Sequence, residues 1–248
     1  MNEYTVFPNA PINEALVDIR VELPKEIVLT NLESFHDLTK KRFPKKEVRI
    51  SLEGGIKLSS KGEIETIPAS GKTEGYLFKS QESGKIVQAR LNGFTFNKLR
   101  PYKDWQTFSS EAHDLWNLYF QTFKPIKIIR IALRYINRID IPLPINDLKE
   151  YILTVPEIAP KLPQTLDQFF MRLIILNSDI QAKAIITQTM GTPIEDQKIP
   201  LIFDIDVFQN AIYTDNKIEM WEEFEKLRIF KNDIFFNSIT EKTRGLFE

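Results

Sequence analysis

The stretch P-I-K-I-I-R-I-A-L-R-Y-I-N-R-I-D-I-P (125–142) decides how the rest of the chain is read. At a period of two, Ile129, Ile131, Leu133, Tyr135, Ile139 and Ile141 share one side. Arg130, Arg134, Arg138 and Asp140 share the other, with Ala132 and Ile136 between them. Side chains of a strand alternate between its two faces, so the pattern predicts a long strand, apolar on one side, with guanidiniums four residues apart on the other. Arg130, Arg134, Asn137 and Arg138 are its candidate ligand or polar-network residues.

Working outward, the question is what answers those cations. In F-D-I-D-V (203–207), Phe203, Ile205 and Val207 point one way and Asp204 and Asp206 the other. Two acids on one strand face can hold a divalent cation, which prefers hard oxygen ligands. They can equally neutralise Arg134 and Arg138 in a semi-buried network. No third acid at fixed spacing accompanies this D-x-D, so pairing with arginine is expected and no metal site is assigned. A third strand, Glu14 to Leu23, alternates Ala15, Val17, Ile19, Val21 and Leu23 against a polar side carrying Asp18, Arg20 and Glu22.

The remaining elements follow from period and punctuation. Pro24 ends the first strand, and Lys25 to Arg42 carries Val28, Leu32, Phe35 and Leu38 at helical spacing. Glu47 to Leu58 reads as a hairpin turning at Gly54-Gly55, and Lys61 to Thr73 as an exposed loop. Tyr76 to Gln81 and Lys85 to Leu99 read as a second hairpin closing at 82–84, with Gly93 marking a bulge. Asp104 is placed to cap a helix to about Phe123, with Trp105, Phe108, Ala112, Leu115, Trp116 and Tyr119 as its apolar stripe. Five prolines lie in 142–163 around a short helix near Asp147 to Leu153. Strands follow at Gln168 to Leu176, Gln181 to Met190 and Leu201 to Phe208. A helix opening at Asp215 or Asn216 then turns Met220, Trp221, Phe224 and Leu227 inward, and Ser238-Ile-Thr-Glu241 forms a capping box for a last short helix.

The expected fold is therefore α+β: extensive antiparallel sheet with about three packed helices. It divides into an N-terminal α+β half (1–142), a proline-rich connector (143–163) and a C-terminal α+β half (164–248), which can form one compact domain. A hairpin, a strand and a Trp-bearing helix capped by Asp recur on both sides of the connector, as a duplication would leave them.

Composition excludes several functions. The chain has no cysteine, which removes disulfides, thiolate catalysis and cysteine-held metals and fits a reducing cytoplasm. With 33 Lys+Arg against 34 Asp+Glu there is no basic excess to favour nucleic acid or membrane globally. No secretory signal is read at the N-terminus, and no apolar run approaches membrane-spanning length. Phosphate-cradling loops and nucleophile elbows are missing, and no cofactor is expected. His36 and His113 each lie in an expected helix without a partner set, which makes them structural by default. Aromatic and basic residues interleave from Phe94 to Trp105, as in single-strand stacking platforms, or as in a strand that packs Phe94 and Phe96 on a core.

Two resemblances can be stated. The charged strands together resemble the interior of triphosphate tunnel enzymes, although those carry E-x-E-x-K where this chain has D-x-R-x-E (18–22). Five segments resemble an uncharacterised, sporadically distributed family of prokaryotic proteins: P-N-A-P-I-N-E-A-L-V-D-I-R-V-E-L-P (8–24), L-R-P-Y-K-D-W (99–105), L-R-Y-I-N-R-I-D-I-P (133–142), L-I-F-D-I-D-V-F (201–208) and F-F-N-S-I-T-E-K-T (235–243). They run from one end of the chain to the other, so the resemblance implies that the 248 residues form a complete unit; it implies no reaction, cofactor or ligand. The functional expectation is a cytoplasmic, non-catalytic module that binds a protein partner through a polar sheet face or an edge. A divalent-metal-dependent phosphohydrolase or nuclease, and a single-stranded nucleic-acid binder, are the alternatives.

Overall fold

The computed structural model describes residues 4–58, 64–193, 197–210 and 217–248. The alternating segments become β1 (Ile12–Glu22), β2 (Lys45–Leu58), β3 (Ile64–Lys79), β4 (Lys85–Arg90), β5 (Gly93–Leu99), β6 (Lys127–Pro142), β7 (Phe170–Asn177), β8 (Ala182–Met190) and β9 (Lys198–Gln209). They form one antiparallel sheet in the order β2-β3-β4-β5-β1-β6-β9-β8-β7. Helices α1 (Ser34–Thr39), α2 (Trp105–Phe123) and α3 (Lys217–Ser238) are joined by the single turn α4 (Glu241–Arg244). Register explains the core: Phe78, Val87, Phe96, Val17, Leu133, Val207 and Ala184 pair in succession across seven strands, and all are buried. On that face Phe35 of α1 packs on Phe78, Trp116 of α2 on Phe94, and Phe235 of α3 on Phe203. No helix among the described residues is long and apolar enough to cross a membrane.

The strand order reads alike from its two central members. β1 is followed by a crossover to a meander, β2-β3-β4-β5, which has one more strand at its outer edge than its counterpart, returns beside β1 and leads into α2. β6 is followed by a crossover to β7-β8-β9, which returns beside β6 and leads into α3. Similar sequence sits at similar places: R-V-E-L-P (20–24) spans the end of β1 and R-I-D-I-P (138–142) that of β6, while W-x-x-F recurs at Trp105/Phe108, which opens α2, and at Trp221/Phe224, about one turn into α3. The repeat thus begins at β6, ahead of the proline-rich segment rather than within it.

Several elements differ from the sequence expectation. Gly54-Gly55 is not a turn; β2 continues through it with a shift of register to Leu58. Most of the expected loop over 61–73 is the first half of β3, with 61–63 outside the described residues. The strand over 85–99 is two strands, with Leu91 and Asn92 turning between the paired ends Arg90 and Gly93. The helix over 25–42 shrinks to a 3₁₀ turn and α1; Leu32 and Phe35 are buried while Val28 and Leu38 face outward. Near 147–153 only a 3₁₀ turn forms, capped by Asp147. Asp104 caps α2 by accepting from the Thr107 N–H at 2.6 Å, as expected. The expected cap at Asp215 or Asn216 lies outside the described residues, and Thr240, not Ser238, caps the last turn.

Candidate polar site on the open face of the sheet

The face opposite the helices carries a row of like charges that needs an explanation. Arg90, Gly93, Arg20 and Arg130 pair directly across β4, β5, β1 and β6. Cations placed directly opposite one another repel, so such a row stands only around a counter-charge. Asp18 supplies it from the neighbouring row. Its Oδ1 accepts from Arg20 Nε at 2.9 Å and Arg130 Nη1 at 3.1 Å, and its Oδ2 from Arg90 Nη2 at 2.5 Å and the Thr95 hydroxyl at 2.8 Å. Gly93 makes room: a Cβ there would press on the Ile19 carbonyl and stand 3.1 Å from Arg90 Nη2. Arg90 is 2% exposed, and its carbonyl accepts from the Tyr119 hydroxyl of α2, which ties the charged row to the helical layer.

A second group continues the network across β6 and β9. Arg134 forks onto Asp204 with bonds of 2.8 and 2.5 Å, the planar geometry that suits guanidinium to carboxylate. Arg130 reaches Asp206 at 3.4 Å and lies over the Phe208 ring. On the other flank Arg49 of β2 donates to Gln88, whose amide donates to Asn97, which donates to Glu14. Arg49 also stands 3.6 Å from Glu74.

These groups border a concavity of about 580 Å³ whose charged lining is Arg20, Arg49, Arg90, Arg130 and Arg134 against Asp18 and Asp206. Burial alone would raise the Asp18 carboxyl, but Arg90, Arg20 and the Thr95 hydroxyl hold it below its ordinary value. Asp206 moves the other way: burial raises it, and Arg130 and Arg134 only partly offset that while Asp204 and Asp18 add to it. The bonds from Asp204 raise Arg134 against the opposing effect of burial.

Of the sequence candidates, Asp18, Arg20, Arg130, Arg134, Asp204 and Asp206 meet in this network. Arg138 does not; it pairs with Asp140 on its own strand at 2.8 Å, and Glu22 pairs with Lys127 at the end of β1. Asn137 points to the opposite, helix-covered side, where it donates to the Phe203 carbonyl. Ile129 was expected on the apolar side but is 41% exposed and lines the concavity. The cause is the register shift that pairs Arg20 with Arg130 and Val21 with Ile128, which leaves Ile129 as the extra residue and turns Ile128 inward. Arg49, Gln88, Arg90 and Thr95 were not found from sequence. Asn92-Gly93 signals a hairpin near this point, but with that dipeptide as the loop Leu91 would pair with Phe94, one residue off the observed Arg90–Gly93 pair.

The alternative sites fare differently. Phe94 and Phe96 are fully buried beneath α2, and Tyr102 packs against Phe108 and Tyr135, so this stretch offers no stacking platform. The sheet does not close into a tunnel, because β2 and β7 are its two ends. Each of the three aspartates is engaged by arginine, and no group of three or more potential metal-ligating side chains occurs among the described residues. His36 contacts the Phe43 carbonyl and stacks on Phe78, while His113 abuts Trp221. Compared with protein-family models, curated proteins and solved structures, the chain matches none.

Proposed function

We propose that this chain is a binding protein that docks an acidic protein partner on the open polar face of its sheet. One observation carries the reading: five guanidiniums from β1, β2, β4 and β6 border a single concavity that supplies two carboxylates of its own. Asp204 and Glu74 answer Arg134 and Arg49 from outside the lining, which leaves the cations one ahead, and an excess of fixed cations in a partly desolvated hollow attracts anions and raises their rate of encounter. The carboxylates already present show the bonding mode an incoming Asp or Glu would adopt, since Arg134 holds Asp204 through both donors of its fork. Arg20 and Arg49 lie at the rim, each with a side chain about one-third exposed; they are bonded to Asp18 and to Gln88, and their exposed donors are the ones a partner can reach.

The test uses fluorescein-labelled oligoglutamate as probe and reads polarisation. Saturable binding is expected, weakened at least tenfold in the double variant Arg20→Ala/Arg49→Ala and steeply by added salt. No binding to the wild-type chain, or binding unaffected by the double variant, would overturn the reading. Preference for single-stranded oligonucleotide or polyphosphate over oligoglutamate would also reject an acidic protein as the partner.

A further inference from the structure

On the other side of the sheet lies a cavity of about 870 Å³, bounded by the segment from Tyr4 to Ile12, residues 102–105, β6 and residues 228–236 of α3. Its volume falls within the range usual for small-molecule sites. Much of the wall is aromatic, with Phe7, Trp105, Phe235 and Phe236 among the lining residues. Into this apolar setting α3 projects Lys231, which is 9% exposed. Its Nζ donates to the Asn232 side-chain oxygen and stands 3.9 Å from the centroid of the Tyr135 ring. Among the described residues its hydrogen-bond partner is Asn232, and the charge that acts on it is Arg228 rather than a carboxylate. Burial, with Arg228 nearby, pulls the amine down to about 7.

A buried ammonium without a counter-ion is costly, and the other deeply buried charges among the described residues, Asp18, Arg90 and Asp204, each have one. The neighbouring polar groups share the same incompleteness. The Tyr102 and Tyr135 hydroxyls bond to each other at 2.7 Å, which uses one of their two protons and leaves one O–H to donate elsewhere. A cation and a spare hydroxyl donor set in an aromatic cavity call for one monovalent acceptor attached to an apolar body.

We infer that this cavity binds an amphipathic organic carboxylate, its head group on Lys231 and the tyrosine pair and its apolar body along Phe7, Phe236 and Trp105. Of the charged lining residues Lys103, Asp104, Arg228, Lys231 and Asp233, only Lys231 is buried, and one buried cation matches a monoanion. A phosphate dianion would remain half-neutralised in surroundings that hydrate it poorly. Because the cavity and the arginine concavity lie on opposite faces of the sheet, neither proposal depends on the other.

Decanoate and decanol, equal in chain length and different in head group, are the probes. Calorimetry on the full chain is expected to give saturable decanoate binding at least tenfold tighter than decanol. Lys231→Met, which removes a buried charge and keeps the apolar stem, is expected to abolish that preference while decanol binding persists. Tyr102→Phe is expected to weaken decanoate alone, and it carries the test if Lys231→Met does not fold. Failure of the wild-type chain to bind decanoate, equal affinity for acid and alcohol, or a preference unchanged by these substitutions would overturn the inference.

Discussion

Asp18 is the residue on which the open face turns, because four donors converge on one carboxylate and three of them are arginines that would otherwise repel. Asp18→Asn would leave Arg90 buried without its counter-charge, and removing one partner of a buried pair costs about 3–5 kcal/mol. Urea unfolding should show that loss, and a much smaller one for Asp206→Asn. The pH dependence has opposite signs at the two sites. The Asp18 carboxyl is held low, so its contribution is complete above the ordinary carboxylate pKa of about 3.9 and disappears as pH falls through its folded value. The Asp206 carboxyl is raised, so its folded form takes up a proton before the unfolded chain does, and acidification relieves its strain. Lys231 is a third case. Its amine is lowered to about 7 from 10.5, so the unfolded chain binds the extra proton between those values and stability should climb as pH rises through that window. Titrating unfolding from pH 6.5 to 10 in wild type and Lys231→Met isolates its share, expected to be on the order of 4 kcal/mol. Arg228, Asp233, Tyr102, Tyr135, Lys103 and Asp104 line the same cavity, and their own response is common to both chains. Alternation alone made Asp18, Arg134 and Asp204 legible in the sequence. Arg90 was hidden because its role depends on a glycine three residues later being empty space.

At the scale of elements, strands with one polar face declared themselves, and those under unusual constraint did not. β1, β8 and β9 follow their alternation closely, β6 does so from Arg130 onward, and α2 begins where a carboxylate can accept from Thr107. Asp104→Ala should cost about 1 kcal/mol, the usual worth of an N-cap, visible as a small drop in the thermal midpoint. Glycines misled the reading in both directions. Gly54-Gly55 resembles a hairpin turn, yet the chain passes through it and shifts register. Gly93 resembles a bulge, yet it opens β5 with φ of 155°, pressed against the Ile19 carbonyl and beneath the Arg90 guanidinium. Gly93→Ala should therefore destabilise well beyond a surface Gly→Ala change, by roughly 2 kcal/mol or more, since backbone as well as side chain must move. Measured stability equal to wild type would show that this close approach is dispensable. The 25–42 segment fell short of its helical pattern for another reason: only Leu32 and Phe35 find core to cover, and periodicity without a surface to bury does not extend a helix.

Across the whole molecule, the two-fold pattern of strands meets at β1 and β6, and the apolar row through Val17 and Leu133 crosses that seam without a break. α2 and α3 lean on one another over it, with Trp105 donating to Glu225 and Trp221 set edge-on to His113. A two-fold pattern of strands can mark two independent halves or two fused ones, and burial decides which. Here both halves draw on one continuous core, so neither has a complete apolar face alone. Unfolding should accordingly be a single transition, with far-UV circular dichroism and tryptophan fluorescence coinciding, even though Trp105 and Trp116 belong to one repeat and Trp221 to the other. Leu133→Ala at the seam should lower stability by about 2–5 kcal/mol and shift both signals together. Two separated transitions, or a fluorescence change confined to one repeat's tryptophans, would mean that the seam is an interface between bodies rather than the middle of one.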